Sequence, residues 1–346
     1  MDRKQQIRQI MGRFIVFVLA SGVIIAGSVL MSQFGPSEYK YTDSSFNWEY
    51  DPTPLSADNN IIFDQHSHTL YSDGILTVRQ NVLWHLANGF NACMITDHNT
   101  MDHKAEVEQV AAEFADEIIV MVGMEWTTNR LHMNFLGLDD WDFSAFPIPS
   151  NPTDQQIQDA IDEAHNQNAV VTINHIPWSI DVAGMENHPT RKQLLNWDVD
   201  YIEVINEDTY DSESVPWCND TNGFGIISGT DMHSPDHVWG WTGMNTTEFT
   251  ETAIMDQLID RNTTIYYNED GSPDNAVGYE DVWYNVFEPL VFVGEMFENY
   301  YSGGVDWAGV SVFAAWMIGA FVIVEFYRAG RDRFWKRVNK RDENES

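Results

Sequence analysis

Between residues 59 and 271 the chain alternates short apolar runs with amphipathic stretches. The apolar runs have the length of strands and are largely free of alternation, which is typical of strands buried on both faces of a parallel sheet. Such runs predict the central strands of the domain. The predicted strands are 60–63, 91–96, 118–124, 169–173, 201–205 and 225–229.

Amphipathic helices are predicted between these strands, and capping residues mark where they begin. Thr77 with Gln80 forms a capping box that opens one helix, which Gly89 closes. Thr153 with Gln156 opens another helix, and four of its apolar side chains share one face: Ile157, Ala160, Ile161 and Ala164. Repeated units of strand then helix predict an α/β fold, either layered or barrel-shaped.

Two longer apolar runs lie near the ends of the chain. Residues 14–31 and 307–323 contain no charged side chain, and both runs are long enough to cross a membrane. Basic flanks mark the cytoplasmic side of a span, and here they are Arg3, Lys4, Arg8 and Arg13 before the first run and Arg328, Arg331, Arg333, Lys336, Arg337, Lys340 and Arg341 after the second. We therefore predict a two-pass cell-membrane protein with both termini cytoplasmic and the intervening domain outside.

A cleaved signal peptide is the alternative for the first run. Its apolar stretch exceeds the roughly 7–15 residues usual for a signal peptide, and no A-x-A cleavage site follows it. These features favour an uncleaved anchor, although the sequence leaves cleavage open. In both cases the central domain is predicted to lie outside the membrane.

These patterns divide the chain into seven segments. The segment at 272–304 contains the apolar stretch VFEPLVFVGEMF, which is too short to span and is predicted to pack on the domain or to touch the membrane surface. The predicted segments are a basic N-terminus at 1–13, a transmembrane helix at 14–32, a linker at 33–58, the main domain at 59–271, the juxtamembrane segment at 272–304, a second transmembrane helix at 305–327 and a basic tail at 328–346.

The charge of the chain restricts its partners. The formal net charge is −35, with 53 acidic and 18 basic residues, and eleven of the basic residues lie in the terminal flanks. The predicted outer portion is therefore strongly acidic and repels polyanions at a distance, so long nucleic acid is an unfavourable partner while a small anion is allowed. Two cysteines cannot form a disulfide framework. The oligomeric state is left open.

Residues of the types that bind metals follow one predicted strand after another. The C-terminal ends of the strands meet at one edge of an α/β sheet or barrel, where active sites are built. Each residue alone could belong to a solvated loop, but five coincidences at one edge favour a metal centre. The residues are His66, His68 and Asp73 after the first strand, Asp97 and His98 after the second, Glu125 after the third, Asn174 and His175 after the fourth, and Asp231 and His233 after the last.

Six motifs in this region resemble those of the PHP (polymerase and histidinol phosphatase) superfamily in their order and spacing. They are DQHSHT, ITDHN, GMEW with the later HMNFLG, INHIP, IEVIN and SGTDMH, and they cover about residues 60–240. The resemblance implies a distorted seven-stranded (β/α) barrel that holds two or three metal ions in a cleft at its C-terminal edge.

The resemblance also implies roles for single residues. One metal would lie among His66, His68, Glu125 and Asp231, Glu125 would bridge to a second metal held by His132 and His175, and a third would lie among Asp73, His98 and His233. Asp64 and Asp97 would orient imidazoles from behind the ligands, and Asp97 is also the candidate catalytic residue. Arg130 is the candidate phosphate contact, and Asn206 is predicted to face the cleft.

This ligand set predicts hydrolysis of phosphate esters by a hydroxide that bridges the metals. Nitrogen and oxygen ligands without thiolate fit Mn, Zn or Fe. The predicted substrate is a small phosphorylated metabolite or nucleotide. Alternatives are a 5′ to 3′ exonuclease acting on short oligonucleotides and, from another class, a non-catalytic sensor that uses the metal cleft to bind a ligand. An amidohydrolase is disfavoured because neither Lys104 nor Lys192 stands at a predicted strand end as a metal-bridging lysine.

Overall fold

A computed structural model describes residues 3–52, 59–221, 223–297 and 305–345. Residues 53–58 of the predicted linker and 298–304 of the predicted juxtamembrane segment lie outside the described residues. The chain forms two compact units, one from Tyr39–Glu280 and the other from Met1–Glu38 with Asp281–Ser346. The predicted segment boundaries themselves stay a prediction.

The unit Tyr39–Glu280 is built from alternating strands and helices. Its strands are β1 (Tyr39–Lys40), β2 (Ile61–Asp64), β3 (Ala92–Ile95), β4 (Ile119–Thr127), β5 (His132–Leu136), β6 (Val170–Ile173), β7 (Tyr201–Asn206), β8 (Thr209–Tyr210), β9 (Gly225–Gly229), β10 (Gly240–Met244), β11 (Thr264–Tyr267) and β12 (Tyr279–Glu280). The helices of the whole chain are α1 (Arg3–Phe34), α2 (Val78–Ala87), α3 (Lys104–Glu113), α4 (Asp154–Asn166), α5 (Arg191–Asn196), α6 (Ser214–Thr221), α7 (Glu251–Ile259), α8 (Val282–Glu295) and α9 (Trp307–Glu345).

Ten of these strands form one sheet. Its order is β11-β10-β2-β3-β4-β5-β6-β7-β8, and β9 pairs with β7 off this path. The sheet is mixed, because β5 is antiparallel to both β4 and β6, while β2, β3 and β4 are parallel neighbours. It curls until β9 approaches β10, where the backbone N–H of Ser228 donates to the Thr242 hydroxyl over 3.0 Å. The predicted α/β fold is confirmed as a curled sheet of half-barrel form.

All six predicted strands are present, with ends within three residues of the prediction. Sequence reasoning missed the antiparallel strands β5, β10 and β11. Strand β10 reads GWTGM, and glycine is depleted in strands. The structure explains Gly240, because a Cβ atom there would lie 2.5 Å from a side-chain carbon of Ile205 on β7. Tight packing against the Ile205 side chain therefore requires glycine where the sequence pattern argues against a strand.

The predicted helix caps are confirmed. The backbone N–H of Gln80 donates to the Thr77 hydroxyl, and the N–H of Thr77 donates to the Gln80 side chain, each over 3.2 Å. Thr153 and Gln156 form the same reciprocal pair at the start of α4. The predicted face of α4 is buried against strands of the curled sheet, together with Val171 and Ile202. These caps fix where the two helices begin.

The other unit contains the long terminal helices. Within the described residues, Lys4–Ser32 of α1 and Trp307–Phe334 of α9 are long and apolar enough to cross a membrane, by length and composition alone. Arg13 of α1 pairs with Glu325 of α9 over 2.5 Å. Helix α8 packs along α1, where a Cβ atom on Gly294 would lie 2.2 Å from the carbonyl oxygen of Ser28. Of the predicted juxtamembrane segment, residues 281–295 thus lie against α1, whereas 272–280 belong to the first unit.

The core face of α4 allows a direct test of the packing. We expect Ile161→Ala to cost about 2–5 kcal/mol of unfolding free energy, because Ile161 is fully buried and its loss leaves a cavity. Gln155→Ala on the exposed face of the same helix should change stability by less than about 0.5 kcal/mol. The thermal midpoint, followed by tryptophan fluorescence, should fall by at least about 4 °C only for the first variant. Equal midpoints would contradict this packing.

Candidate metal centre

The first ligand segment leaves β2 in extended conformation. Asp64 ends this strand, and its carboxylate accepts hydrogen bonds from the Thr230 N–H over 2.9 Å and the Thr230 hydroxyl over 2.6 Å. It also lies 2.9 Å from His85 Nε2. Asp64 therefore ties the start of the His66 segment to the turn that carries Asp231. Asp64 Oδ1 also accepts from the His66 N–H over 3.3 Å, so Asp64 supports this predicted ligand through its backbone, while the imidazole that it contacts, His85, is not a predicted ligand.

Asp97 follows β3 and is fully buried. Its carboxylate accepts hydrogen bonds from the Thr69 N–H, the Thr69 hydroxyl and the Ser72 hydroxyl, each over 2.7 Å. One of its oxygens also lies 3.3 Å from His103 Nδ1. These contacts hold the loop that leads to Asp73. They give Asp97 a role in fixing that loop and argue against the predicted catalytic role, since both oxygens are already occupied.

Two of the predicted ligands have left-handed backbone conformations. His175 has φ +26° and Asp231 has φ +53°. This region is uncommon for residues other than glycine, and such positions concentrate at functional sites. The turn at Asp231 follows directly on β9, and its N–H donates to the carbonyl of His66 over 2.8 Å. The strained turn brings the Asp231 carboxylate to the histidines that follow β2.

The nine predicted metal ligands come together at one edge of the curled sheet. Within each of three groups, the ligand atoms all lie within 4.8 Å of one another. The groups are His68, Asp73, His98 and His233; His66, His68 and Asp231; and His98, Glu125 and His132. His175, the ninth, has its Nε2 3.4 Å from Glu125 Oε1. Because His68 and His98 each belong to two groups, the groups are contiguous.

Glu125 lies at the centre of this arrangement. His98 Nδ1 lies 2.7 Å from Glu125 Oε2, and His132 Nδ1 lies 3.0 Å from Glu125 Oε1. Glu125 Oε2 is also 3.6 Å from His66 Nε2. A single buried carboxylate thus faces imidazoles from several strand ends. This position suits the bridging role that the family resemblance implies for Glu125. The resemblance assigns His98 to another metal, but the structure places His98 beside Glu125 as well.

The residues present fit divalent metal ions. Within the described part of the chain, His66 Nε2 and His132 Nε2 are buried and make no hydrogen bond. His66 Nε2 and His68 Nε2 lie 3.1 and 3.0 Å from Asp231 Oδ1. Two ligands bound to one ion at about 2.1 Å are separated by about 3.0–3.4 Å. The donor set is therefore a possible metal site, whereas the number and identity of the ions stay a prediction.

Electrostatics favour ionised carboxylates in this cluster. Burial alone would raise the pKa of Asp231, but the charge of His66 and its neighbours holds that pKa well below the usual range. The pKa of Glu125 is likewise held well below its ordinary value, against burial, by His98, His132 and His66. Both groups are therefore acceptors ready to bind a cation without first losing a proton.

The imidazoles divide into two sets. Burial lowers the pKa of His68 and of His132 to about 4, so these side chains are neutral at physiological pH. Against burial, Glu125 and Asp73 raise the pKa of His98 to about 10, and Asp73 and Asp231 raise that of His233 to about 9. The metal-free cluster therefore holds protons that a metal ion must displace.

The two predicted substrate contacts, Asn206 and Arg130, lie in different surroundings. Asn206 lies in the centre, where its Nδ2 donates to Asp231 Oδ2 over 3.2 Å. The Arg130 guanidinium instead donates to the carbonyls of Asn187 and Pro152 over 2.8 and 3.1 Å, and it pairs with Asp154 over 2.5 Å. Arg130 thus holds surface loops together, which argues against the predicted phosphate contact.

Sequence reasoning missed one buried carboxylate at the centre. Glu203 lies in the middle of β7 and is 1% exposed, and His66 Nδ1 lies 2.9 Å from its Oε1. The signal in the sequence is a glutamate inside the apolar strand YIEVIN. A charged residue in a run buried on both faces needs a partner.

A cavity of about 200 Å³ adjoins the centre. Asp231 and His233 form one side of its wall, and Glu207, Asp208 and Asp236 add three further carboxylates. The residues that line it include no lysine or arginine. The space beside the metal ligands is therefore small and acidic.

No protein-family model matches the chain, and no curated protein matches it. Solved structures do match. A two-domain protein from Bacteroides vulgatus containing a predicted PHP-like metal-dependent phosphoesterase is 23% identical, with a TM-score of 0.49, covering 64% of this chain and 68% of that one. A candidate metal-dependent phosphoesterase from Bifidobacterium adolescentis is 17% identical, with a TM-score of 0.40 and coverages of 50% and 88%.

A lesion-specific endonuclease from Pyrococcus furiosus is 14% identical, with a TM-score of 0.39 and coverages of 57% and 55%. All three TM-scores lie below 0.5, so the likeness is distant. The chemistry of this chain is therefore inferred from its own side chains.

Metal binding should release protons from the cluster. His98 and His233 are protonated at pH 7, since their pKa values are raised to about 10 and 9, and bound metal requires them neutral. Adding Zn²⁺ to the metal-free chain at pH 7 should therefore release protons, measured with a pH indicator in weak buffer, and affinity should rise from pH 6 to 9. His165→Ala removes an imidazole bound to Asp200 outside the centre and should leave the release unchanged. Binding without proton release would contradict these assignments.

Proposed function

We propose that the protein is a metal-dependent phosphoesterase that hydrolyses a small phosphorylated metabolite or nucleotide on the outer face of a membrane. The observation that carries the proposal is the convergence of nine imidazole and carboxylate ligands in contiguous groups around Glu125. The ion pairs of these carboxylates within the described residues are with histidines. Such a cluster suits a multinuclear divalent centre better than a set of structural salt bridges.

Each part of the cluster has a task in this reaction. Bound divalent ions would supply the acidity that activates water and the positive charge that stabilises the phosphoryl transition state. The neutral imidazoles of His68 and His132 offer lone pairs as ligands, and Glu125 stands between neighbouring groups. Both hydrogens of Asn206 Nδ2 are used, one by Asp231 Oδ2 and one by Glu203 Oε2, so this amide orients the Asp231 carboxylate towards the centre. No side-chain nucleophile is required.

A small substrate is favoured over a long nucleic acid. The adjoining cavity of about 200 Å³ has room for a compact leaving group, and its acidic wall repels additional phosphates. Seven basic residues remain for the entire portion between the two terminal flanks. The exonuclease alternative needs a path for a polyanion, and the charge of this portion of the chain disfavours one.

The membrane assignment completes the proposal. We infer a distorted (β/α)7 barrel with one transmembrane helix at each end, both termini cytoplasmic and the barrel outside. Support comes from the lengths of the apolar stretches in α1 and α9 and from the basic flanks at both ends. Two or three ions of Mn, Zn or Fe are proposed for the centre.

Activity can be tested with the full chain in detergent. We expect hydrolysis of p-nitrophenyl phosphate in the presence of Mn²⁺, and loss of at least about 100-fold for Asp231→Ala combined with His233→Ala, because ligands to the metals are removed. His165→Ala is the matched control outside the centre. Turnover of bis-p-nitrophenyl phosphate and of short oligonucleotides in preference to the monoester would favour the exonuclease. Metal binding without turnover of any phosphate ester would contradict an enzyme and favour the sensor.

The orientation in the membrane is testable with single cysteines. Both native cysteines, Cys93 and Cys218, are buried and should react slowly. A membrane-impermeant maleimide applied to intact cells should label Asn151→Cys, at an exposed position of the main domain. It should label Lys340→Cys, in the basic tail, only after permeabilisation. The reverse pattern would refute the proposed topology.

A further inference from the structure

Glu203 is a buried carboxylate that the predicted ligand set does not include. Its side chain is bonded on both oxygens. Oε1 accepts from Gln65 Nε2 over 2.7 Å and from His66 Nδ1 over 2.9 Å. Oε2 accepts from the backbone N–H of His175 over 2.8 Å and from Asn206 Nδ2 over 3.0 Å. All four partners are donors, which suits an ionised carboxylate, and two of them belong to predicted metal ligands.

The contact with His66 fixes which ring nitrogen faces the centre. A carboxylate only accepts, so Nδ1 carries the hydrogen that faces Glu203. The lone pair available to a metal is then on Nε2. This atom is buried, makes no hydrogen bond to any described residue and lies 3.1 Å from Asp231 Oδ1. Carboxylates behind ligand histidines commonly set the tautomer and ring orientation in this way.

The contact with His175 acts through the backbone. Its N–H is held by Glu203 Oε2 at a residue with φ +26°, where the left-handed conformation needs support from the surroundings. The same carboxylate thus steadies two ligands that come from different strand ends, one through its ring and one through its main chain.

Gly229 provides the space for this carboxylate. A Cβ atom at Gly229 would lie 2.0 Å from Glu203 Oε1, 2.7 Å from Gln65 Nε2 and 2.7 Å from His66 Cβ. Gly229 lies in β9 and its φ is outside the left-handed region, so its backbone conformation does not require glycine. The requirement is steric, because any side chain at position 229 would displace Glu203 from His66.

A chain of amides joins Glu203 to Glu125 beneath the centre. Asn174 Nδ2 donates to Glu125 Oε1 over 3.0 Å and to Asn134 Oδ1 over 2.9 Å. Asn134 Nδ2 donates to Gln65 Oε1 over 3.0 Å, and Gln65 donates in turn to Glu203. Since both ends are carboxylates that only accept, the orientation of each amide is determined. The hydrogen bonds that hold His66 are thereby connected to those that hold Glu125.

We propose that Glu203 is a positioning residue of the metal centre: through the space left by Gly229, it holds the Nδ1–H form of His66 and the backbone of His175, so that His66 Nε2 faces the metal. This inference rests on the proposed metal centre but not on which phosphate ester is hydrolysed.

The test compares the full-length wild type, Glu203→Gln, Gly229→Ala and the control Glu213→Gln, whose side chain is 85% exposed. Glu203→Gln keeps the shape of the side chain but turns an amide nitrogen towards donors. We expect Glu203→Gln to weaken Zn²⁺ affinity, measured by chelator competition, by about 10- to 100-fold. The absorption spectrum of bound Co²⁺ should change as well, since the ligand field at His66 is altered.

Gly229→Ala should reproduce these effects without changing any charge, while Glu213→Gln should match the wild type. Should Gly229→Ala fail to fold, Glu203→Gln alone decides the question. A residue with only a structural role would lower the thermal midpoint of the metal-free chain and leave the affinity and the Co²⁺ spectrum unchanged, and that outcome overturns the inference. If the wild type itself binds no Zn²⁺ or Co²⁺, the proposed function fails; if it binds and Glu203→Gln binds equally well, only the role of Glu203 fails.

Discussion

The balance of buried charge at the edge of the curled sheet is the constraint on which the rest of the structure depends. Glu125, Glu203 and Asp231 carry carboxylates into a region that water reaches poorly, and burying a carboxylate is costly unless it is paired. Their partners among the described residues are mainly imidazoles and amides. Neutral imidazoles do not compensate negative charge, and protonated ones surrender their lone pairs. A divalent cation would satisfy both kinds of group, because it balances the charge of the carboxylates and accepts the lone pairs of neutral imidazoles.

The sequence was sufficient to select most of the predicted ligands because their signals are local. Eight of the nine follow a predicted apolar strand, and His66 with His68 has the i, i+2 spacing that places both side chains on one side of extended chain. His132 was selected only through the family resemblance. Parallel strands then bring distant segments to a common edge. Capping boxes such as Thr77 with Gln80 could also be recognised from the sequence, since both partners lie within the first turn of one helix.

The sequence could not reveal what depends on distant partners. Glu203 serves the centre only because Gly229, on another strand, leaves room for it. Strand β10 is stabilised by close packing that the glycines of GWTGM permit, which no local propensity indicates. Arg130 stands near Glu125 along the chain, yet its guanidinium is directed to the carbonyls of Asn187 and Pro152. Asp97 likewise follows a strand as a ligand would, but its carboxylate is used by Thr69 and Ser72.

The metal content of the purified full-length chain tests the central claim most directly. After equilibrium dialysis against Mn²⁺, Zn²⁺ or Fe²⁺, elemental analysis should find two or three ions per chain for the preferred metal. Glu125→Gln should lose at least one of them, because that carboxylate stands between neighbouring ligand groups. A folded wild-type chain that retains no divalent ion, or a Glu125→Gln chain that retains the full complement, would contradict the account.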